Sequence, residues 1–319
     1  MHYKHILLHA TIYVIFKINE EKQLMKNIIK LTALSAVMLT GLSGQAIADA
    51  GDSRILKRIQ DRGVVTIGHR ETSIPFSYIG NDEKPVGYSI DICLKIVDAI
   101  KTELDNPNLT VKYVPVTGQT RIPLIANGTI DIECGSTTNN LTRQKQVSYL
   151  STTFITGTKI ASKKGSGITE IEDLEGKIIG MSAGTTNEKA IKAAIKDLGL
   201  NVKIVGVKDH SQGWLALQTD RVDAYASDDV LLYGLISKSK SPEEYQVTGR
   251  FLSFDPYAIM VPRNDSTFER LGRVVMSGLM ASGEMETVYN KWFVPGPTGI
   301  NMKLSDTLKV AFEIQAFPN

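Results

Sequence analysis

The residues best suited to chemistry in this chain are consecutive: Glu133-Cys134-Gly135-Ser136-Thr137-Thr138-Asn139-Asn140-Leu141-Thr142-Arg143. A short apolar run ending at Ile132 reads as a buried strand that opens into small hydroxyl residues and then an arginine. Such a loop brings hydroxyls, free backbone N–H groups and a guanidinium fork together, which is the donor set a bound carboxylate requires. Taken alone, a polar strand-to-helix turn with a solvated arginine would read the same way. Polar runs of this kind recur, however. Ser182-Ala183-Gly184-Thr185-Thr186-Asn187-Glu188 and Ser227-Asp228-Asp229 also follow predicted strands.

The elements that must position these loops alternate between strand and helix. Residues 64–68 read as a strand, and 89–104 as an amphipathic helix with Ile92, Ile96 and Ala99 at helical spacing. A strand at 110–116, a short helix at 122–127 ended by Gly128, and a strand at 130–134 complete one βαβαβ unit. The second unit has strands at 177–181, 202–207 and 222–226. Between them lie a helix running from the Thr185/Glu188 capping-box pattern to near Gly199 and a shorter one at 214–218. In open α/β sheets ligands gather beyond the carboxyl ends of the strands, so the repetition predicts an α/β chain with two lobes facing one cleft. A strand at 257–261 and helices at 268–282 and 286–292 read as a segment returning to the first lobe. The expected division is 51–153 for the first part of lobe 1, 154–255 for lobe 2 and 256–319 for the return. Crossings near 151–159 and 250–257 would form a two-strand hinge.

The beginning of the chain carries an address. From Met25 the sequence has a basic start, an apolar stretch over 31–42 and a small-x-small site at Ala46-Ile47-Ala48, the three parts of a secretory signal at 25–48. Cleavage is expected after Ala48 or Ala50, and residues 1–24 are read as an upstream start-codon artefact. No cysteine follows the cleavage site to take a lipid anchor, so a periplasmic product is expected. The 319 residues hold 36 basic and 34 acidic side chains, and residues 1–48 hold five lysines and two glutamates. The remainder has 31 basic and 32 acidic residues, a net charge of about −1 that argues against nucleic acid as a partner. Cys93 falls on a helix and Cys134 at a strand end. A single disulfide fits that compartment, but sequence cannot give their separation, and two buried thiols are the reading preferred.

Gly68-His69-Arg70-Glu71-Thr72-Ser73-Ile74-Pro75-Phe76-Ser77-Tyr78, Arg121-Ile122-Pro123-Leu124, the run from Glu133 to Arg143 and Thr185-Thr186 carry a resemblance. Together they closely resemble the periplasmic glutamate/aspartate-binding proteins of ABC importers, which are family 3 amino-acid solute-binding proteins. The resemblance covers essentially the whole chain after the signal. It implies a two-lobed periplasmic-binding-protein-like fold of type II with the ligand in the interlobe cleft, a permease complex in the inner membrane as partner, a monomer, and no cofactor or metal. Carried over position by position, it implies that Arg143, with Ser136 and Thr138, holds the ligand α-carboxylate and that Asp228 holds the α-ammonium. Arg70, Arg121 and His210 would face the side-chain carboxylate, with Thr186 and Thr185 closing from the second lobe. One departure is Gly118 in Thr117-Gly118-Gln119-Thr120, where the family carries a ligand-binding serine; Thr117 and Thr120 are the candidates to supply that hydroxyl.

The physics agrees with these roles. A dicarboxylic amino acid brings two carboxylates and one ammonium into a cleft, and burying each unpaired would cost several kcal/mol. Arginine suits such a site because its planar fork binds carboxylates in pairs of hydrogen bonds and stays charged. Each residue also has a plainer reading: Arg70 and Arg121 as surface arginines, His210 as a solvated loop histidine, Asp228 or Asp229 as a helix cap, and Thr185 as another cap. Phe76 and Tyr78 read equally as ligand cover or as core. The rival classes are a periplasmic dehydratase-like enzyme, with Glu133 as general acid or base, and a sensory ligand-binding domain. Only His69 and His210 remain after the signal and no Gly-x-Ser-x-Gly motif occurs, so a binding protein is expected and an enzyme is not.

Overall fold

Short polar caps start several of the described helices, and left-handed glycines end two of them. The computed structural model describes residues 53–318, so the expected signal at 25–48 and the stretch before it lie outside the described residues. Ser53 accepts from the Leu56 N–H to start α1 (Arg54–Arg62), and Gly63 ends it in the left-handed region ahead of β1 (Val64–His69). β2 (Thr72–Ser73), β3 (Ser77–Ile79) and β4 (Pro85–Val86) form a small antiparallel sheet before α2 (Tyr88–Glu103). β5 (Thr110–Pro115), α3 (Arg121–Ala126), β6 (Ile132–Cys134) and β7 (Ser148–Thr156) follow. The chain then makes β8 (Thr158–Lys163), β9 (Ile178–Ser182), α4 (Thr186–Leu198), β10 (Lys203–Val207), α5 (His210–Gln218), β11 (Ala224–Asp228), α6 (Asp229–Ser237) and β12 (Tyr245–Thr248). It closes with β13 (Asp255–Val261), α7 (Ser266–Ala281), α8 (Glu284–Phe293) and α9 (Asp306–Glu313).

Two five-stranded sheets result. In the first, ordered β5-β1-β6-β13-β7, β1 runs parallel to β5 and β6, and β13 runs antiparallel to β6 and β7. The second, ordered β10-β9-β11-β8-β12, has the same plan: three parallel strands, then one that runs antiparallel to both of its neighbours. Parallel strands need cover on both faces, and the helices supply it. α2 buries Ile92, Cys93, Ile96, Val97 and Ile100 in one apolar cluster that also takes in Phe268, Met285, Phe293 and Phe312 of the last three helices. Two further clusters, around Ile179 and Ile191 and around Trp214 and Tyr225, belong to the second sheet. Phe76 and Tyr78 are core residues; the Phe76 ring meets those of Tyr88, Phe154, Tyr257 and Phe293 edge-on.

The chain passes between the sheets twice. β7 gives way to β8 across Gly157 alone, and residues 249–254 join β12 to β13. These crossings touch backbone to backbone. A Cβ on Gly157 would lie 2.2 Å from the Ser253 carbonyl oxygen, and Leu252 N–H donates to the Thr158 carbonyl at 3.0 Å. Only glycine permits that approach.

Two expectations are corrected. Cys93 and Cys134 are not free thiols: packing α2 on β6 brings their Cα atoms to 6.3 Å and they form a disulfide. Residues 214–218 are only the later part of a helix that starts at His210, because Asp209 caps it by accepting from the Gln212 N–H at 3.0 Å. The disulfide spans a sequence separation of 41 residues. Closing a loop of that order restricts the unfolded chain by an amount worth roughly 4 kcal/mol in the chain-entropy account. A Cys93→Ala/Cys134→Ala variant is therefore expected to lose about 2–4 kcal/mol of unfolding free energy while keeping its fold, as read by urea denaturation.

Candidate functional site

Three arginines from lobe 1 converge where its strands end. Arg70 directly follows β1, Arg121 opens α3 and Arg143 opens a 3-10 turn (Arg143–Lys145) beyond the β6 loop. Arg70 and Arg121 are each 2% exposed and Arg143 is 7% exposed. Arg121 Nη1 donates to the Ser136 carbonyl (3.2 Å) and to Thr137 Oγ1 (2.6 Å), and Thr137 donates onward to Glu133 Oε2 (2.7 Å). Gly135 lets Glu133 and Arg70 share the same space, because a Cβ there would lie 2.4 Å from Glu133 Oε1 and 2.9 Å from Arg70 Cγ. Burial first, and then the charge of Arg121, pulls Arg70 and Arg143 down to about 10 each, so both stay charged at neutral pH. Arg70 Nη2, Arg121 Nε, Ser136 Oγ and Glu133 Oε1 are buried without a hydrogen-bond partner among the described residues. A buried unpartnered polar group costs about 1–3 kcal/mol, and an incoming carboxylate would offset that for the donors.

Lobe 2 closes from the opposite side. Arg143 Nη1 donates to the Thr138 carbonyl (2.8 Å) and its Nη2 reaches the Gly184 carbonyl of lobe 2 (3.4 Å). Thr185 caps α4, donating to the Ser182 carbonyl (2.7 Å) and accepting from the Glu188 N–H (3.1 Å), so its one hydroxyl proton is committed to the turn. The Glu188 carboxylate takes the Gly184 N–H (2.8 Å), one residue earlier than the reciprocal bond of a capping box. Thr186 Oγ1 instead meets Thr138 Oγ1 at 3.2 Å, a hydroxyl contact across the lobes. His210 lies buried at the start of α5, held well below the usual histidine range by burial and then by Arg70 and Arg121, and is neutral.

Carboxyl groups gather near the two crossings. Asp228 Oδ1 accepts from Asn187 Nδ2 (2.9 Å) and its Oδ2 from the Tyr257 hydroxyl. Asp255, which opens β13, accepts from Thr138 Oγ1 (2.8 Å) and from the Ser253 hydroxyl. Asn187 also donates to Thr158 Oγ1 (2.8 Å), which Ser253 Oγ approaches at 2.8 Å, so one network joins both lobes and both crossings. All these partners are neutral. Burial first, and then the proximity of Asp255, raises the Asp228 carboxyl to about 7. The site therefore has a donor-rich, positively charged end and an acidic end, which suits a ligand carrying both signs of charge.

Of the nine residues singled out by the sequence, eight present side chains to this arrangement, and Thr185 serves as a cap. Asp229 is tied elsewhere, accepting from Thr156 Oγ1 (2.6 Å) and the Val230 N–H (2.7 Å). Thr117 and Thr120, the candidates for the serine hydroxyl, are engaged within their own loop. They bond each other's turn: Thr117 N–H donates to Thr120 Oγ1 (2.9 Å), and the Gln119 and Thr120 N–H groups donate to Thr117 Oγ1 (3.3 Å). Gly118 lies against lobe 2, where a Cβ would meet the Ala183 carbonyl oxygen at 2.6 Å. Sequence reasoning missed Asp255, Asn187, Tyr257 and Tyr225. Only the carboxyl and amide types of the first two hinted at a role, while the tyrosines sat in apolar strand patterns that read as core.

Comparisons with known proteins agree on one family. The model of the bacterial extracellular solute-binding proteins, family 3, matches residues 65–295. A Pseudomonas aeruginosa protein named L-glutamate/L-aspartate-binding protein is 43% identical over 280 residues, covering 86% of this chain and 92% of its own length. The glutamate/aspartate import solute-binding protein of Salmonella typhimurium is 40% identical over 292 residues, covering 89% and 96%. Among solved structures, an ancestral arginine-binding protein bound to arginine is 28% identical with a TM-score of 0.65, covering 73% of this chain and 99% of its own. Glu133 is the buried counter-charge beneath Arg70 and Arg121, so Glu133→Ala is expected to destabilise the protein by about 3–5 kcal/mol, measured by chemical denaturation.

Proposed function

The chain belongs to the bacterial extracellular solute-binding proteins, family 3, and from that premise we propose that it captures glutamate or aspartate in the periplasm for the permease of an ABC importer. The observation that carries this reading is the convergence of three buried arginines in one cleft that also holds the buried carboxyls of Asp228 and Asp255. Arg143, with Ser136 and Thr138, takes the α-carboxylate, and Asp228 takes the α-ammonium. Arg70, Arg121 and His210 receive the side-chain carboxylate. Thr186 closes over the ligand from lobe 2, and Thr185 contributes by holding the first turn of α4. The relatives named for glutamate and aspartate support the same choice of solute.

Binding is without turnover in this reading. Glu133, the acid–base candidate of an enzyme, lies under the arginines and accepts from Thr137, which suits a counter-charge rather than a proton carrier. The crossings at Gly157 and 249–254 act as the hinge, and a ligand touching both lobes binds their closed arrangement better and shifts the population toward it. A cleaved signal at 25–48 delivers the protein as a monomer. No helix among the described residues is long and apolar enough to cross a membrane.

The test is calorimetric titration with glutamate, aspartate, glutamine and asparagine. An amide leaves Arg70 and Arg121 facing a neutral group, so the acids should bind at least ~2 kcal/mol, about 30-fold, more tightly. Equal binding of glutamine and glutamate would remove the acidic-ligand assignment. Arg143→Ala should weaken every amino acid by roughly 10²- to 10³-fold, because the α-carboxylate is common to all.

The acidic end adds a pH dependence. Asp228 titrates near 7 in the ligand-free fold and near 4 when unfolded, so the native state binds more protons between those values. This group's contribution to the stability of the ligand-free protein is fully present below about pH 4 and is lost as pH rises through about 7. An ammonium beside Asp228 lowers its pKa, so binding releases a proton in that window and affinity falls as pH drops below about 7. Titrations near pH 6 in two buffers of different ionisation heat should report up to one proton released per ligand.

A further inference from the structure

A chain of hydroxyls stands behind His210 and is built from three separate elements. Ser182 ends β9, Tyr225 lies in β11 and His210 opens α5. Tyr225 Oη is 2.9 Å from His210 Nδ1 and 2.9 Å from Ser182 Oγ, which itself lies 3.5 Å from Nδ1. The tyrosine is seated closely. A Cβ on Gly213, one turn along α5, would fall 2.0 Å from Tyr225 Cε2, so the helix carries glycine where the ring lies. Ser182, His210 and Tyr225 are all buried.

A neutral imidazole has a single N–H, and its position is set by the bond the other nitrogen makes. The three groups can share their protons in two directions. If His210 Nδ1–H donated to Tyr225 and Tyr225 to Ser182, the Ser182 proton would meet no acceptor, because the hydroxyl's hydrogen-bonding neighbours among the described residues are those same two groups. In the other direction Ser182 donates to Tyr225, Tyr225 donates to Nδ1, and every hydroxyl proton has an acceptor. Burial holds the Tyr225 hydroxyl above its usual range, which keeps its proton available. The ring proton then sits on Nε2, the edge away from Tyr225. Arg70 and Arg121, the charged groups that act on His210, are donors only.

We propose that Tyr225 is a positioning and specificity-determining residue, whose hydroxyl, backed by Ser182, fixes His210 as the Nε2–H tautomer and so as an obligate donor to the ligand side chain. This rests on the assignment of His210 to the side-chain carboxylate. With Arg70, Arg121 and His210 all donating, an amide NH2 finds no acceptor among these three groups, whereas both oxygens of a carboxylate find donors. Freed from Tyr225, the imidazole can present a lone pair at Nε2 and accept the NH2 of an amide.

The experiment uses the mature protein labelled with 15N-histidine, with and without glutamate, alongside Tyr225→Phe and Ser182→Ala. Nitrogen NMR is expected to show Nδ1 unprotonated and Nε2 protonated in the unaltered protein, and a mixed or reversed tautomer in Tyr225→Phe. By calorimetry, Tyr225→Phe should bind glutamate about tenfold more weakly with little loss for glutamine, narrowing the acid-to-amide ratio. Ser182→Ala should move both readouts the same way by less, which guards against a Tyr225 variant that folds poorly. A protonated Nδ1 in the unaltered protein, or an unchanged ratio in Tyr225→Phe, would overturn the proposal. Equal binding of glutamine and glutamate by the unaltered protein would instead remove the acidic-ligand reading, and this role with it.

Discussion

Keeping three guanidinium groups charged inside one water-poor cleft is the constraint on which the rest of this structure depends. Like charges brought together out of water repel strongly, and an arginine cannot escape by shedding its proton. The fold answers with Glu133, buried beneath Arg70 and linked to Arg121 through Thr137. That relay occupies part of the donor capacity and leaves Arg70 Nη2 and Arg121 Nε unspent. Parallel strands make this economical in chain length, because β1 and β6 pair directly and deliver Arg70 and the Glu133–Thr138 loop side by side. Gly135 then admits both side chains to a space that a methyl group would fill.

The second lobe is shaped to bring an equally crowded surface against the first. At Gly118 and Gly184 the two lobes meet backbone to backbone: a Cβ on Gly184 would fall 2.9 Å from the Gly118 carbonyl group. A serine at 118 would hold those loops apart in this arrangement. The lost hydroxyl is thus exchanged for closer approach, which also puts the Gly184 carbonyl within reach of Arg143. Asp255 ties this contact between the lobes to their crossings. It sits where the second crossing enters β13, and through Thr138 and Ser253 it connects the Thr138–Thr186 contact to the neighbouring crossing strand.

What the sequence made legible were features whose partners are neighbours along the chain. Strand and helix alternate with clear periodicities, and the donors from Ser136 to Arg143 lie in one loop, so the loop announces its own chemistry. Asp228 and Thr186 could be separated from Asp229 and Thr185 only by geometry, since each pair offers the same atoms one residue apart. The disulfide, the Asp228–Asp255 pair and the Tyr225–His210 contact join residues whose spacing in sequence carries no periodic signal. Their proximity is a product of sheet order. That His210 opens a helix rather than sitting in a loop was not legible, because Asp209, its cap, extends α5 by a turn that polar composition had hidden.

The distribution of charge also explains why orientation within the cleft is not arbitrary. Arg70 and Arg121, the cations acting on His210, form one pole, and Asp228 with Asp255 mark the other, where Arg143 stands beside Asp255 because Thr138 bonds both. A zwitterion reversed end for end would place its ammonium among guanidiniums and a carboxylate beside two buried carboxyls. Each misplacement would add repulsion in a poorly screened interior to the loss of charge-assisted hydrogen bonds. His210 strengthens the same asymmetry without adding to the repulsion. Because burial, and then Arg70 and Arg121, keep it neutral, it can donate at the cationic pole at no further electrostatic cost, which a permanent charge at that position could not do.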